Sequence, residues 1–478
     1  MKSLLELVYK LLKIKFSRTP NQNTRMKKIL FYHLQMLGGV YVKFLQALCN
    51  NYNFTKGWVG PTELAVFKNV SLENIDVAEH VSLDNFLWLE QAPFASGSFA
   101  QVYKGQLRTG ELVAVKILRP SVKRTIRRDI KLIKIISRIM RRFLPIDIVD
   151  IKAAADEFCN ACRLEIDYRR EINNLEFFYE MYKNRDEVVI PKVYKLLSSA
   201  SVITQDFIAG QTLADVLTLK KHHQNSAELV LETTGSDLWA QMAILGAELC
   251  HMAMQEECVF ADPHPGNVIL LPKNRIALID FGIVSSPPTS RKAFYDWVFE
   301  YHRNLNGNKD VDKLMIATLR CFSPALAQAF ANYQAFNGQS VLEVLGDTFN
   351  DRMGSFGENS LANELFVGGH LFQLYYKVLD KNNALGLKLD INNFQLLKAI
   401  QTYLSMIYIL DREGDGTSFA KCLNLSMENA LSRVGAFGIA DDSEIEVSLP
   451  ESYAILSDAL SSLAERDEFL FNKLLGRI

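Results

Sequence analysis

The chain has 478 residues, 49% of them hydrophobic, with 53 Lys and Arg against 54 Asp and Glu and a formal net charge of −1. That length accommodates two or three domains with large apolar cores, and the balanced charge supplies no global field for nucleic acid, which is not expected as a partner. Seven scattered cysteines are too few and too irregular for a disulfide framework, so a reducing, cytoplasmic setting is expected. Cys159 and Cys162 have C-x-x-C spacing, but no second Cys pair or His pair joins them, and they read as ordinary helix cysteines.

In chain order, Leu4, Val8, Leu11 and Leu12 recur at helical spacing among lysines, giving a basic amphipathic helix over Met1 to Phe16. Two readings stay open for it: docking on its own domain, or peripheral contact with an anionic membrane surface. Residues 17–24 read as a linker, and about Met26 to Cys49 as an apolar helix containing Lys43 and Gln46; Pro61 opens another short helix. No window offers a charge-free membrane span; the most apolar stretch, Leu238 to Met254, is interrupted by Gln241, Glu248 and His251 and reads as a buried helix.

From Phe94 the periodicity changes. Ala95, Ser96, Gly97 and Ser98 form a small-residue loop running into a strand, Thr109-Gly110 makes a turn, and Leu112 to Leu118 is a second strand carrying Lys116. Small residues let backbone amides approach phosphates, and a lysine on the adjoining strand reaches them. Residues Ser121 to Asn160 follow as an inserted helical region rich in Lys and Arg, either a solvated face or a surface for anionic lipid. The next predicted helix, Leu164 to Asn174, carries Glu165, Asp167 and Glu171; Glu165 and Glu171 are six positions apart, roughly 240° around one helix. Val202 to Gly210 is a strand leading to a polar turn, where the backbone of Gln205, Asp206 and Phe207 is expected to pair with an adenine and Asp206 to reach ribose or solvent. Gln211 to Cys258 reads as helical.

The most informative stretch comes next. Asp262-Pro263-His264-Pro265-Gly266-Asn267 lies between short apolar strands, and Asp280-Phe281-Gly282 follows a further strand. Phosphoryl transfer needs a carboxylate at the attacking oxygen and hard oxygen ligands for Mg²⁺, and Asp262, Asn267 and Asp280 supply them in the order and spacing of a protein-kinase catalytic loop and metal-binding turn. His264 occupies a place where protein kinases carry Lys, and no Ala-Pro-Glu follows Gly282, so the platform for a peptide substrate is missing. From Phe294 onward the pattern is mostly helical, with breaks near Gly354 to Gly357, Gly414 to Gly416 and Asp441 to Pro450.

Together these residues resemble the UbiB (AarF-type) atypical kinase family of the protein-kinase-like superfamily. The resemblance covers roughly Gly38 to Pro288: Asp262 to Asn267 is the intact family hexapeptide, Glu165 and Asp167 match its Glu-x-Asp motif, and Lys43 and Gln46 match its Lys-x-Gly-Gln motif, with Leu45 in place of Gly. Ala95 to Ser98 stands for its alanine-rich nucleotide loop, and Phe260 replaces a usual His. The resemblance implies that Glu171 pairs with Lys116, that the Lys-x-Gly-Gln helix hinders protein substrates, and that ATP and Mg²⁺ are the cofactors. It further implies ATPase activity or phosphorylation of a small or isoprenoid-lipid molecule in a coenzyme Q-like pathway; a nucleotide-binding pseudokinase scaffold is the alternative. The expected architecture is α+β, a bilobal protein-kinase-like fold: an N-terminal helical extension over 1–80, an N-lobe with helical insertion over 81–210, a C-lobe over 211–350 and a C-terminal helical extension over 351–478.

Overall fold

The computed structural model describes residues 73–97, 99–143, 165–220, 226–307, 311–322, 391–411 and 417–435, with isolated positions elsewhere. Predicted features at Met1 to Phe16 other than Lys13, at Lys43, Leu45, Gln46, Pro61 and Ser98, and at Gly354 to Gly357 lie outside the described residues. The chain divides into two units, Met1–Phe177 with Pro191–Phe207, and Phe178–Ile190 with Ile208–Ile478.

The first unit is built on an antiparallel sheet of order β1-β3-β4-β6, from β1 (Phe86–Leu89), β3 (Ala100–Leu107), β4 (Leu112–Leu118) and β6 (Val202–Asp206), with β2 (Ala95–Ser96) paired to β3. Alternation along β4 sends Val113, Val115 and Ile117 into a core with Tyr103, Leu107, Phe86, Val77 and Val202. Lys116 therefore belongs to the opposite face, in register with Val102 and Ile203. The β3–β4 turn uses Gly110 at φ 106°, a conformation open to glycine.

Helix α1 (Pro120–Phe143) begins with proline in its tolerated first position. Val122, Ile126, Ile130, Ile133 and Ile136 are buried, and Lys123, Arg124, Arg127, Arg128, Lys131 and Arg138 are exposed on the other side. The lone buried acid of this helix's described face, Asp129, accepts hydrogen bonds from Tyr41 Oη at 2.9 Å and Thr125 Oγ1 at 2.6 Å. Tyr41 belongs to the predicted helical segment 26–49, in which Ile29, Tyr32, His33 and Val40 are also helical.

The single helix expected over Leu164 to Asn174 is broken. Ile166 is a turn residue and α2 starts afresh at Tyr168, running to Tyr182. The cause is Asp167, whose carboxylate accepts from Arg169 N at 3.2 Å and thereby caps the new helix. Glu165 and Glu171 consequently sit on different elements, and their angular separation around one helix has no meaning.

In the second unit, β5 (Val188–Val189), β10 (Arg275–Leu278), β9 (Val268–Leu271) and β7 (Gln211–Thr212) form a sheet of that order, and β11 (Val284–Ser285) pairs with β8 (Val259–Phe260). Gln211 and Thr212, expected as helix, are strand because they pair with Leu270 and Ile269. Helices α3 (Leu213–Lys220), α4 (Ser226–Thr234) and α5 (Leu238–Gln255) follow. The expected buried helix is α5: Asp237 caps it through Trp239 N at 2.8 Å, and Gln241 Nε2 donates to the Leu271 and Arg275 carbonyls at 2.8 and 2.7 Å. Among the described residues no helix is long and apolar enough to cross a membrane.

Beyond β11 come α6 (Arg291–Leu305), α7 (Val311–Phe322), α8 (Ile391–Asp411) and α9 (Thr417–Gly435). Both α8 and α9 touch α5. The close approach occurs at Gly246, where Tyr403 and Ser426 occupy the space a side chain would fill. Helices α8 and α9, within the expected C-terminal helical extension, belong to the same unit as Asp262 to Asn267, and the first unit's last residue is Phe207.

Candidate functional site

In the first unit, Lys116 from the middle of β4 places its Nζ 2.6 Å from Glu171 Oε1 in the first turn of α2, with 21% and 6% of the two side chains exposed. Partial burial weakens screening by water, so this ion pair fixes the lysine more firmly than a surface pair would. The ammonium also lies 5.3 Å from the Tyr168 ring centroid. The neighbouring Asp167 turns outward into a bidentate contact with Arg169 at 2.9 and 2.8 Å, which holds its carboxyl below the usual range.

The nucleotide-loop residues Ala95 and Ser96 form the exposed strand β2, and Gly97 N closes the turn on Ala100 O at 2.9 Å. Gly97 has no left-handed φ, and a Cβ on it would meet nothing nearer than Ala100 O at 3.8 Å. The space accommodates alanine.

The Asp206 carboxylate is engaged within the fold. It accepts from Lys192 N at 3.1 Å and Tyr194 Oη at 2.8 Å, bonds that close the edge of β6. The Asp206 and Phe207 amides are likewise committed, to Lys192 O and Leu112 O at 2.9 Å each, and Gln205 lies in the β4–β6 ladder opposite Ala114. These two N–H groups are therefore used within the fold. Phe207 meets Phe94 edge-on at 5.5 Å, with Lys104 4.3 Å from its ring centroid.

In the second unit two ladders hold the loop residues. Phe260 pairs with Val284 on one side of the loop, Val268 with Leu278 on the other, and Ala261 N and Ile279 N bond to Ile283 O and Asn267 O at 3.3 and 3.1 Å. Asp262, Asn267 and Asp280 all fall between these ladders. Asn267 Nδ2 donates to Asp262 O at 3.1 Å and to Asp262 Oδ2 at 3.2 Å, so the amide oxygen is the atom it would offer a cation. Asp280 Oδ1 accepts from Gly282 N at 3.0 Å, fixing the turn. His264 caps the 3₁₀ turn Pro265–Asn267 by accepting from Gly266 N at 3.1 Å.

Phe260 fills its unusual place with packing. Its ring lies 5.2 Å from that of Phe281, which stacks on Phe178 at 4.5 Å, and all three are fully buried. This aromatic column supports the catalytic-loop and metal-turn backbones where a polar side chain would have used hydrogen bonds.

Sequence reasoning missed a charge network behind this loop. Glu248 on α5, with 2% of its side chain exposed, meets Tyr182 Oη at 2.6 Å, Arg185 Nη1 at 3.4 Å and Arg433 Nη1 of α9. Arg433 also contacts Glu187 at 2.8 Å, and Arg185 contacts Glu256 at 2.8 Å. The only sequence signal was a charged residue inside an apolar helix.

A kinase-like sheet bearing a Lys–Glu pair, together with an Asp/Asn loop and Asp-Phe-Gly turn, defines the protein-kinase-like class. Residues 76–311, just under half of the chain, match the family model described as the ABC1 atypical kinase-like domain. An uncharacterized Synechocystis protein is 26% identical over 73% of this chain and 48% of its own length. ACTIVITY OF BC1 COMPLEX KINASE 3, chloroplastic, from Arabidopsis thaliana is 31% identical over 41% of this chain and 26% of its own. AarF domain-containing kinase 1 from Drosophila melanogaster is 29% identical over 41% and 36%. The chain thus spans about half or less of the length of these relatives. A solved structure, the Rv3197–erythromycin complex from Mycobacterium tuberculosis, overlays 64% of this chain and 66% of its own with a TM-score of 0.38 at 21% identity.

Proposed function

We propose that the chain is a Mg-ATP-dependent atypical kinase or ATPase of UbiB type, acting on or regulated by a small-molecule or isoprenoid-lipid pathway of the coenzyme Q kind. The observation that carries this reading is the placement of Asp262, Asn267 and Asp280 between two strand ladders, with Asn267 bonded to Asp262. Asp262 orients or deprotonates the attacking hydroxyl or water, and Lys116, held by Glu171, neutralises phosphate charge. The Asn267 amide oxygen and Asp280 carboxylate fit Mg²⁺, which needs one or two protein carboxylates beside phosphates and waters. When bound, that ion neutralises charge developing on the transferred phosphoryl group.

A small acceptor is favoured over a peptide by the chain after the metal turn. Five residues, Ser286 to Ser290, separate β11 from α6, too short a segment for a peptide platform. Contact with an anionic lipid surface is proposed for the basic N-terminal helix and is supported further along by the exposed cations of α1, consistent with peripheral association of a cytoplasmic protein. The second reading, a nucleotide-binding pseudokinase scaffold for a lipid-biosynthetic complex, draws on Phe260, which supports the loop by packing alone.

The test is incubation with Mg-ATP labelled on the terminal phosphate, with and without anionic vesicles or a phenolic isoprenoid analogue. Released phosphate or label on the analogue supports the enzyme. Bound nucleotide with neither outcome supports the scaffold. Flotation with those vesicles, with and without Met1 to Phe16, tests the lipid contact; equal flotation contradicts the N-terminal site.

A further inference from the structure

Arg119 lies at the end of β4, three residues after Lys116, and is 5% exposed. It reaches the nucleotide loop at three points. Its backbone N donates to Phe99 O at 2.8 Å, its Nε to Gly97 O at 3.1 Å and its Nη2 to Ser96 Oγ at 2.6 Å. Beside these bonds the loop has the short β2–β3 pairing and the Gly97 N to Ala100 O bond, and Ala95, Ser96 and Gly97 are all exposed. A segment so poor in buried contacts opens easily unless it is tied.

Glycine conformation does not shape this loop either, because Gly97 has an ordinary φ and room for a methyl group. The guanidinium provides what the backbone does not: a rigid planar fork whose charge-assisted bonds are about twice as strong as neutral ones. Burial pushes Arg119 below its ordinary value, and Glu73 opposes that shift. Glu73 in turn accepts from Ser121 N at 3.0 Å, so the segment entering the first unit braces the same strand end.

We propose that Arg119 is the positioning residue of the nucleotide loop, holding its Ser96 and Gly97 backbone in the shape that receives phosphate. This rests on the nucleotide-loop reading above. Arg119 acts through the loop and needs no contact with the nucleotide.

The experiment compares wild type with Arg119→Met, Arg119→Lys and Ser96→Ala, measuring amide hydrogen exchange across 95–99 without nucleotide and the affinity for Mg-ATP at equilibrium. Arg119→Met is expected to raise loop exchange and weaken Mg-ATP affinity about tenfold, since misplacing a positioned group is costly, while kcat at saturation changes less than KM. Arg119→Lys, which keeps charge but loses the fork, should restore little of it. Ser96→Ala removes one exposed bond partner and should give a smaller change in the same direction even if Arg119→Met fails to fold. Loop exchange unchanged in a folded Arg119→Met chain, or unchanged in Ser96→Ala when Arg119→Met does not fold, overturns the inference alone. A wild-type chain that binds no Mg-ATP overturns the function proposed above, and with it the effect on affinity.

Discussion

Lys116 and Glu171, 55 positions apart in the chain, meet at 2.6 Å with the glutamate almost fully covered. The inequality in exposure makes the two halves of the pair separable by mutation. Glu171→Gln keeps shape and removes charge, so the fold should hold while ATP turnover falls roughly 10²-fold as the lysine loses its anchor. Lys116→Met leaves a buried carboxylate without that cation and should also cost about 1–3 kcal/mol of stability. Thermal unfolding beside turnover assays separates the two. Equal stability losses in both variants would contradict this assignment.

Arg433 is the counter-cation that α9 gives to Glu248, and it also binds Glu187 just before β5. Removing Arg433 leaves buried Glu248 with Arg185 at 3.4 Å but without its nearer cation, at a cost of about 2 kcal/mol. Arg433→Met should therefore lower stability by that amount, and Glu248→Gln added to it should recover much of the loss. Denaturant unfolding of the single and double variants measures the recovery. Strictly additive losses would show that the two side chains do not act as a pair.

Gly246 is the point where α5 lets α8 and α9 approach. A Cβ there would sit 2.5 Å from the Tyr403 ring and 2.6 Å from Ser426 Oγ, and Tyr403 is only 3% exposed. Overpacking a site of this kind costs about 1–3 kcal/mol. Gly246→Ala should lower the melting temperature, and Tyr403→Phe, which removes one of the clashing atoms, should soften the effect of Gly246→Ala when combined with it.

Much of this fold is legible in local pattern alone. Leu112 to Leu118 is a strand with the expected bounds, and the strand Val202 to Asp206 lies within the strand-and-turn stretch expected over Val202 to Gly210, since period-two burial and turn residues are written into adjacent positions. Asp262, Asn267 and Asp280 are readable as a set because their spacing is fixed within one short stretch. What is not legible depends on distant partners or on competition within a helical pattern. Asp167 reads as one acid among three on a helix, and only its bond to the Arg169 amide shows that it ends one helix and starts another. Asp206 reads as available, yet Lys192 and Tyr194 close on it. Glu248 and Arg433 are 185 positions apart, and no local rule links them.

Glu256, at the end of α5, is held below its ordinary value first by its hydrogen bond with His251, with Arg185 adding to this and desolvation opposing it. A depressed carboxylate contributes stability that is present above its unfolded value, about 4.3, and is lost as pH falls through the lower folded value. Wild type should therefore lose stability more steeply below about pH 4.3 than Glu256→Gln does. Melting temperature against pH checks this, and parallel acid limbs would contradict it.

The role proposed for Asp262 is chemistry between the two ladders that frame it. The direct measurement is Mg-dependent phosphate release from ATP by wild type and by Asp262→Asn, which keeps the side-chain shape and the Asn267 contact surface. Turnover should be lower by roughly 10²- to 10⁴-fold in Asp262→Asn, with Mg-ATP still bound and the fold intact. Equal turnover in the two proteins would contradict it.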